Sequence, residues 1–304
     1  MRIGLIGYGE VGKTLAEDLR AHDHAVTAFD VKLGTPAGVL LNDHAARCGV
    51  QLAASHADVV RDAELVISAV TASQTVAVAD ACAGAIGGAF FLDFNSASPR
   101  AKQEAAALID GAGGRYVEGA VMTLISGYRI KVPLLLGGAH AEALLPLITG
   151  LGFSAKVASN KLGVASATKL CRSVMIKGLE AMLIESLTSA RHYGVEDAVI
   201  ASLQETYPGV DWQKQATHAF QRVIEHGRRR GEEMREAART VRDAGLAPLS
   251  AAGTAERDRE IADQGDAGVF GKRGEPGFAR SEDWRTEADR LLANIHGSLK
   301  GSRP

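Results

Sequence analysis

The chain has 304 residues, more than one typical domain holds and enough for two. Hydrophobic residues make up 46% and charged residues 23%, the balance of a globular protein able to bury a sizeable core. With 34 basic against 36 acidic residues the formal charge is −2, which points away from nucleic acid and from an anionic membrane surface as partners. Cys48, Cys82 and Cys171 lie far apart without a C-x-x-C pair, so no disulfide framework is implied and no metal is expected. A cytoplasmic location follows as the expectation. A buried strand starting at Arg2 or Ile3 leaves no room for a leader, and no apolar run reaches the roughly 18 to 20 residues of a membrane span.

Taken in chain order, the first half alternates short apolar runs with amphipathic stretches, the pattern of βαβ units. Strands are predicted at residues 3–6, 25–29, 65–69, 90–93, 115–120 and 132–137, with a short one at 155–157. Several are unbroken Val/Ile/Leu/Phe runs, as in strands covered by helices on both faces. Helices are predicted at 13–22, 75–85 and 101–111. From about residue 160 the pattern turns wholly helical. Residues 164–193 carry one glycine and no proline, which predicts a single helix on the order of 45 Å long. Helices follow at 198–206, 212–244 (with a break left open) and 255–264. Residues 264–279 read as a loop, 283–299 as a last helix and 300–304 as a frayed tail. The predicted architecture is therefore α/β: a Rossmann-type, doubly wound, mainly parallel sheet over residues 1–160, then an all-α domain over 161–304 that begins with a long interdomain helix.

The opening strand runs into Gly7-Tyr8-Gly9-Glu10-Val11-Gly12, a G-x-G-x-x-G turn that starts a helix. In this pattern Gly7 makes the tight turn, Gly9 admits a pyrophosphate against the backbone, and Gly12 lets helix and strand pack closely. The free N–H groups of the helix start suit phosphates. An acid, Asp30, stands at the tip of the next strand, 18 residues after Gly12, placed to accept hydrogen bonds from ribose hydroxyls. Its charge opposes a 2′-phosphate, so NAD is expected over NADP, although Lys32 softens that preference and NADP is not excluded. Val70 and Thr71 end one strand and Asn95 and Ser96 another. All four sit at the carboxyl edge where such sheets bind ligands, Val70, Thr71 and Asn95 on the cofactor side and Ser96 on the substrate side.

These residues, together with Asp93-Phe94-Asn95-Ser96-Ala97-Ser98-Pro99, Tyr116-Val117-Glu118-Gly119-Ala120-Val121, Gly137-Gly138 and Gly163-Val164-Ala165-Ser166-Ala167-Thr168-Lys169, resemble the β-hydroxyacid dehydrogenases, relatives of 6-phosphogluconate and 3-hydroxyisobutyrate dehydrogenases. The run His226-Gly227-Arg228-Arg229-Arg230-Gly231-Glu232-Glu233-Met234 resembles a subgroup with a distinctive, poorly characterised helical domain. The resemblance implies an enzyme that oxidises a hydroxy acid or sugar-derived acid with NAD, with Lys169 as general acid/base, while the helix over 164–193, apolar nearly all round, predicts a homodimer. A lysine desolvated in a cleft serves both directions of such a reaction. Two departures stand out. Ser173 occupies the place of the family's Asn four residues after the lysine. Ala120-Val121-Met122-Thr123-Leu124 replaces the family's Pro-Val-Ser-Gly-Gly, which points away from a standard small 3-hydroxy acid.

On a helical wheel Lys169, Ser173 and Glu180 fall near one face with Lys177 beside them, on a helix that Leu170, Met175 and Leu179 mark as buried. Ser173 is a second candidate catalytic residue, while Glu180 suits a structural ion pair. Met122 and Thr123 are expected to wall the substrate pocket. His226, Arg229 and Arg230 are candidates to hold an anionic substrate, against the competing reading of a solvated basic face balanced by Glu232, Glu233 and Glu236. Three other readings stay open: an oxidoisomerase of a branched sugar acid, an imine reductase (which Lys169 argues against), and a non-catalytic NAD-binding sensor.

Overall fold

The computed structural model describes residues 1–301. It divides into two compact units, Met1–Leu170 and the residues from Cys171 on.

The first unit is built on an eight-stranded sheet in the order β3-β2-β1-β4-β5-β6-β7-β8. The strands are β1 (Arg2–Ile6), β2 (Ala25–Phe29), β3 (Gln51–Leu52), β4 (Leu65–Ser68), β5 (Phe90–Asp93), β6 (Arg115–Val121), β7 (Leu134–Gly137) and β8 (Ala155–Ser159). All neighbours pair in parallel except β6 with β7. The expected strands are present. The two-residue edge strand β3 carries no apolar run that would have announced it.

Seven helices belong to this sheet: α1 (Glu10–Arg20), α2 (Val39–Cys48), α3 (His56–Val60), α4 (Thr75–Ala83), α5 (Pro99–Gly111), α6 (Ile125–Tyr128) and α7 (Ala141–Gly150). They cover both faces. Leu5, Val26, Ala28, Leu65, Ile67 and Leu92 join Leu15 and Leu19 of α1 in one core. Ile6, Val66 and Phe91 join Val78, Ala79 and Ile109 in the other. Residues 65, 66 and 67 thus alternate between cores while all are buried, which is why β4 reads as a continuous apolar run. The chain leaves β1 towards β2 on one side and returns as β4 on the other, so the carboxyl ends of β1 and β4 flank the topological switch point.

The unit boundary falls inside α8 (Val164–Tyr193), beyond the residue 160 expected from sequence. The first turns of α8 are hydrogen-bonded to the sheet through Glu118 and Ser96, which ties them to the first unit.

The second unit holds the rest of α8 with α9 (Glu196–Thr206), α10 (Trp212–Asp243), α11 (Leu249–Asp266) and α12 (Trp284–Gly301). Helix α10 is unbroken despite Gly227 and Gly231. Asp211 caps its start by accepting from the Lys214 N–H at 3.0 Å. Gly227 serves close approach, since a Cβ there would lie 2.4 Å from the Asp258 carbonyl of α11. The core gathers Leu183, Ile184, Leu187, Phe220, Val223, Ile224, Ile261 and Trp284. The expected loop at 264–279 is shorter than read, because α11 runs on to Asp266, and its Phe270 and Phe278 are buried in that core. The last helix continues to Gly301. The tail expected at 300–304 lies, from residue 302, outside the described residues. The buried face expected around Met175 is corrected: Met175 is 73% and Met182 63% exposed, because the apolar residues on α8 exceed what one chain's core covers.

Charge is buried between α8, α10 and α11. Lys177 pairs with Glu233, and Glu180 pairs with Arg230 and, at 3.1 Å, with Arg222, so Glu180 is the structural ion pair expected. Arg230 also lies 3.8 Å from Asp258. The Asp258 side chain is fully buried and neither of its oxygens accepts a hydrogen bond. Burial pushes its carboxyl up to about 7, against the opposing pull of Arg230 and Lys177. Burial likewise lowers Lys177, with Glu233 acting against it.

An acid whose folded pKa is raised binds its proton more tightly in the folded state, so its favourable share of stability is lost as pH rises towards 7. Replacing it by the uncharged Asp258→Asn removes that loss. The difference in unfolding temperature between variant and wild type should move in the variant's favour between about pH 5 and pH 8. A difference independent of pH would show that Asp258 is already ionised at the lower end.

Candidate active site

The glycine turn carries the geometry its sequence implies. Gly7 has φ +87°, and a Cβ on it would lie 2.4 Å from the Ala69 carbonyl, so a side chain there would force β1 and β4 apart. A Cβ on Gly9 would meet nothing within 4 Å and project into open space in front of α1. Gly9 caps α1 without any side-chain bond to the helix N–H groups. An open approach and uncapped donors at a helix start fit a pyrophosphate.

Asp30 is half-buried and orders the turn. Its Oδ2 accepts the Tyr8 N–H at 2.9 Å and its Oδ1 the Lys32 N–H at 2.9 Å. Each oxygen keeps lone pairs for ribose hydroxyls. Within the motif, Glu10 is exposed, Val11 packs against the core, and the Tyr8 side chain points inward, fully buried, its hydroxyl 2.9 Å from His44 Nδ1. The expectation that Tyr8 touches cofactor is therefore corrected for its side chain: an aromatic ring after Gly7 finds more apolar contact in the core than at the turn.

At the ends of β4 and β5, Asn95 is buried and fully engaged. Its Oδ1 accepts the Val70 N–H at 2.7 Å and its Nδ2 donates to Ser68 Oγ at 3.1 Å. It ties Val70 through one end of its amide and Ser68 through the other. Thr71 stands exposed next along the same edge. Beneath lies a buried ion pair absent from the sequence reading: Lys102 Nζ sits 3.0 Å from Asp93 Oδ1, and the Tyr116 hydroxyl donates to Asp93 Oδ2 at 2.6 Å. Burial, reinforced by the negative Asp93, raises the Tyr116 hydroxyl well above its usual range, so it stays a donor. An Asp ending a strand followed nine residues later by Lys is too common a spacing to have signalled the pair.

Lys169 is brought to this edge. Its Nζ donates to Ser96 Oγ at 2.6 Å, joining residues 73 positions apart, and both side chains are half-buried. The lysine is held there by Glu118, which is completely buried. Glu118 Oε1 accepts from the Gly163 and Ala165 N–H groups at 2.8 and 3.1 Å, and Oε2 from Ser166 at 3.3 Å. A carboxylate at the start of a 30-residue helix satisfies donors that would otherwise be buried and complements the helix dipole. Room for it comes from Gly137, where a Cβ would stand 2.3 Å from Glu118 Oε1. The signal for Glu118 in the sequence is an acid between Val117 and Gly119 in a buried strand.

Of the substrate candidates in this unit, Met122 is half-buried against Ala120, Leu135 and Ala165, and Thr123 is exposed. In the second unit Ser173 is buried. There Arg229 bonds Glu233 one turn on at 2.8 Å, and His226 lies 3.9 Å from Glu225. That geometry favours the balanced basic face over a dedicated anion site for Arg229, and the expectation for Arg230 is corrected, because it is buried and paired with Glu180.

Residues 2–127 match the NAD binding domain of 6-phosphogluconate dehydrogenase, and residues 190–261 match a domain of unknown function, DUF1932. A conserved hypothetical protein from Sinorhizobium meliloti is 34% identical over 96% of this chain and 97% of its own, with a TM-score of 0.74. A conserved protein of unknown function, described as structurally similar to 3-hydroxyacid dehydrogenases, is 29% identical over 87% of this chain and 99% of its own, with a TM-score of 0.67. The 3-hydroxyisobutyrate dehydrogenase of Mycobacterium tuberculosis, studied with L-serine, shares the fold at a TM-score of 0.70 over 95% of this chain and 98% of its own, with 16% identity.

Glu118→Ala leaves the helix-start donors without their acceptor and should lower stability by about 1–3 kcal/mol, measured by denaturant unfolding. Glu118→Gln keeps one acceptor oxygen and should lose less. Equal losses would mean that the negative charge, which both variants lack, supports α8 rather than the acceptor oxygen that Gln retains.

Proposed function

This chain belongs to the 6-phosphogluconate dehydrogenase-like β-hydroxyacid dehydrogenases, in a subgroup whose helical half is a domain of unknown function, and from that premise we propose that it is an NAD-dependent dehydrogenase of a hydroxy acid or sugar-derived acid. The observation that carries this reading is the 2.6 Å hydrogen bond from Lys169 to Ser96 at the carboxyl edge of the sheet that bears the glycine turn. A bound nicotinamide supplies the hydride acceptor or donor. Lys169 Nζ takes the hydroxyl proton as the alcohol is oxidised and returns it to the carbonyl oxygen in the reverse direction. Ser96 Oγ fixes the position of Nζ and offers a hydroxyl to the same substrate oxygen. Asn95, by holding the Val70 N–H, keeps the β4 edge shaped for the cofactor. Asp30 takes the ribose hydroxyls and repels a 2′-phosphate, which favours NAD. Met122, apolar where relatives carry serine, admits a bulkier or less polar substituent than a small hydroxy acid presents.

Two copies should pair through the helical half. The support is the exposed apolar side of α8, where Met175 and Met182 lie two turns apart, a face that costs solvation unless covered. Sedimentation should give a dimer, and a single species of monomer mass at all concentrations sinks this reading.

The catalytic assignment is tested with hydroxy and sugar acids screened against NAD+ and NADP+, following absorbance of the reduced cofactor. Turnover is expected with NAD+ at lower cofactor concentration. Lys169→Met should then lower turnover by about 10²- to 10⁴-fold while cofactor affinity is retained. Lys169→Arg should fail as well, because guanidinium keeps its proton. Near wild-type turnover in Lys169→Met would assign the proton transfer to another group.

A further inference from the structure

A second cluster of reactive side chains lies on the far side of the glycine turn. Helix α1 contributes Glu17 and helix α2 contributes His44 and Cys48, one turn apart. His44 Nε2 lies 2.9 Å from Glu17 Oε1 and 3.8 Å from Cys48 Sγ, and one donor atom from each of the three falls within 4.8 Å of the other two. His44 is buried, while Glu17 and Cys48 are half-exposed, which leaves a route from solvent. We propose that Glu17, His44 and Cys48 form a binding site for a divalent metal ion of the zinc class.

The donor set decides the class. Thiolate, imidazole and carboxylate together suit zinc and cobalt and are poor ligands for magnesium or calcium, which take oxygen. Zinc–sulfur and zinc–nitrogen bonds of about 2.3 and 2.0 Å set ligand atoms roughly 3.5 Å apart at a tetrahedral centre. The observed 2.9 and 3.8 Å separations bracket that spacing, so small side-chain rotations suffice. Three protein ligands leave a fourth position for water.

The surroundings are those of a metal-binding histidine. A ligating imidazole holds its proton on the other nitrogen and gives it to an oxygen that fixes the ring. His44 Nδ1 lies 2.9 Å from the Tyr8 hydroxyl, which is buried beneath the glycine turn. Arg129 engages Glu17 Oε2 at 2.7 Å, a different oxygen from the one facing His44, so the carboxylate can serve both. It also brings positive charge near the ion, as does Arg20, whose Nε donates to the Cys48 carbonyl at 3.3 Å. The site is therefore weaker than an all-cysteine zinc centre. Binding requires the imidazole proton on Nδ1 and releases the Cys48 thiol proton to solvent, so affinity rises with pH.

The ligands are separated by 27 residues and by 4 and include a single cysteine, so no C-x-x-C pair marks the site in the sequence. The proposal does not depend on the dehydrogenase reading.

The test uses the chelator-treated full chain. Cobalt(II) titration should show one ion bound with tetrahedral ligand-field absorption and a thiolate-to-cobalt charge-transfer band, and zinc should displace it. Cys48→Ser should abolish the charge-transfer band, and Glu17→Gln should weaken zinc by about tenfold or more, read by competition with a chromogenic chelator. Cys171→Ser, at an exposed cysteine elsewhere, should change neither. Circular dichroism checks that each variant is folded. An octahedral cobalt spectrum without a thiolate band, or a Cys48→Ser variant that binds as wild type does, overturns the proposal.

Discussion

The carboxylate of Glu118 is the constraint on which the rest of the site depends. It sits in β6 with no exposure and meets the first N–H groups of α8, a helix of 30 residues. A buried carboxylate without partners would be prohibitively costly, and so would buried helix-start donors without acceptors. Each removes the other's cost. The helix is thereby held to the sheet, and the lysine that follows one and a half turns on stands against Ser96. Gly137 in β7 is small because this carboxylate occupies the space beside it.

The same economy of partners recurs one strand away. Asp93 receives Lys102, the Tyr116 hydroxyl and the Asn95 N–H, so the end of β5 is rigid just where Asn95 and Ser96 emerge. Asn95 in turn spans to β4 through Ser68 and Val70. Asp93, Asn95 and Ser68 make the edge stiff, and a stiff edge keeps Ser96 within hydrogen-bond reach of Lys169. The second unit shows the opposite condition at Asp258, buried without a hydrogen bond among Arg230, Lys177 and Glu180. There the interior is charged, and its balance shifts with pH.

Much of this was legible in the chain itself. Gly7, Gly9 and Gly12 followed by Asp30 announce a dinucleotide turn, because only small residues permit the backbone approach and only an acid at that distance meets the ribose. The continuous apolar runs of β1, β4 and β5 announce a sheet covered on both faces, since alternation would have shown if one side met water. The freedom of residues 164–193 from proline announces a long helix. These are local properties, carried by short spans of neighbouring residues, and they set fold class and cofactor type.

What the tertiary structure alone decided is which distant side chains meet. Lys169 and Ser96 are 73 residues apart, Glu118 and Gly163 45, Asp93 and Lys102 on successive elements, and Glu17, His44 and Cys48 on two helices. Pairing of this kind depends on the register of β5 and β6 and on the rotation of each helix about its axis, neither of which is written in periodicity. Tyr8 shows the same limit at short range. Its place between two motif glycines suggested the ligand, yet packing turned the ring inward to His44, since a residue in a tight turn has two sides and sequence does not say which of them the core will claim.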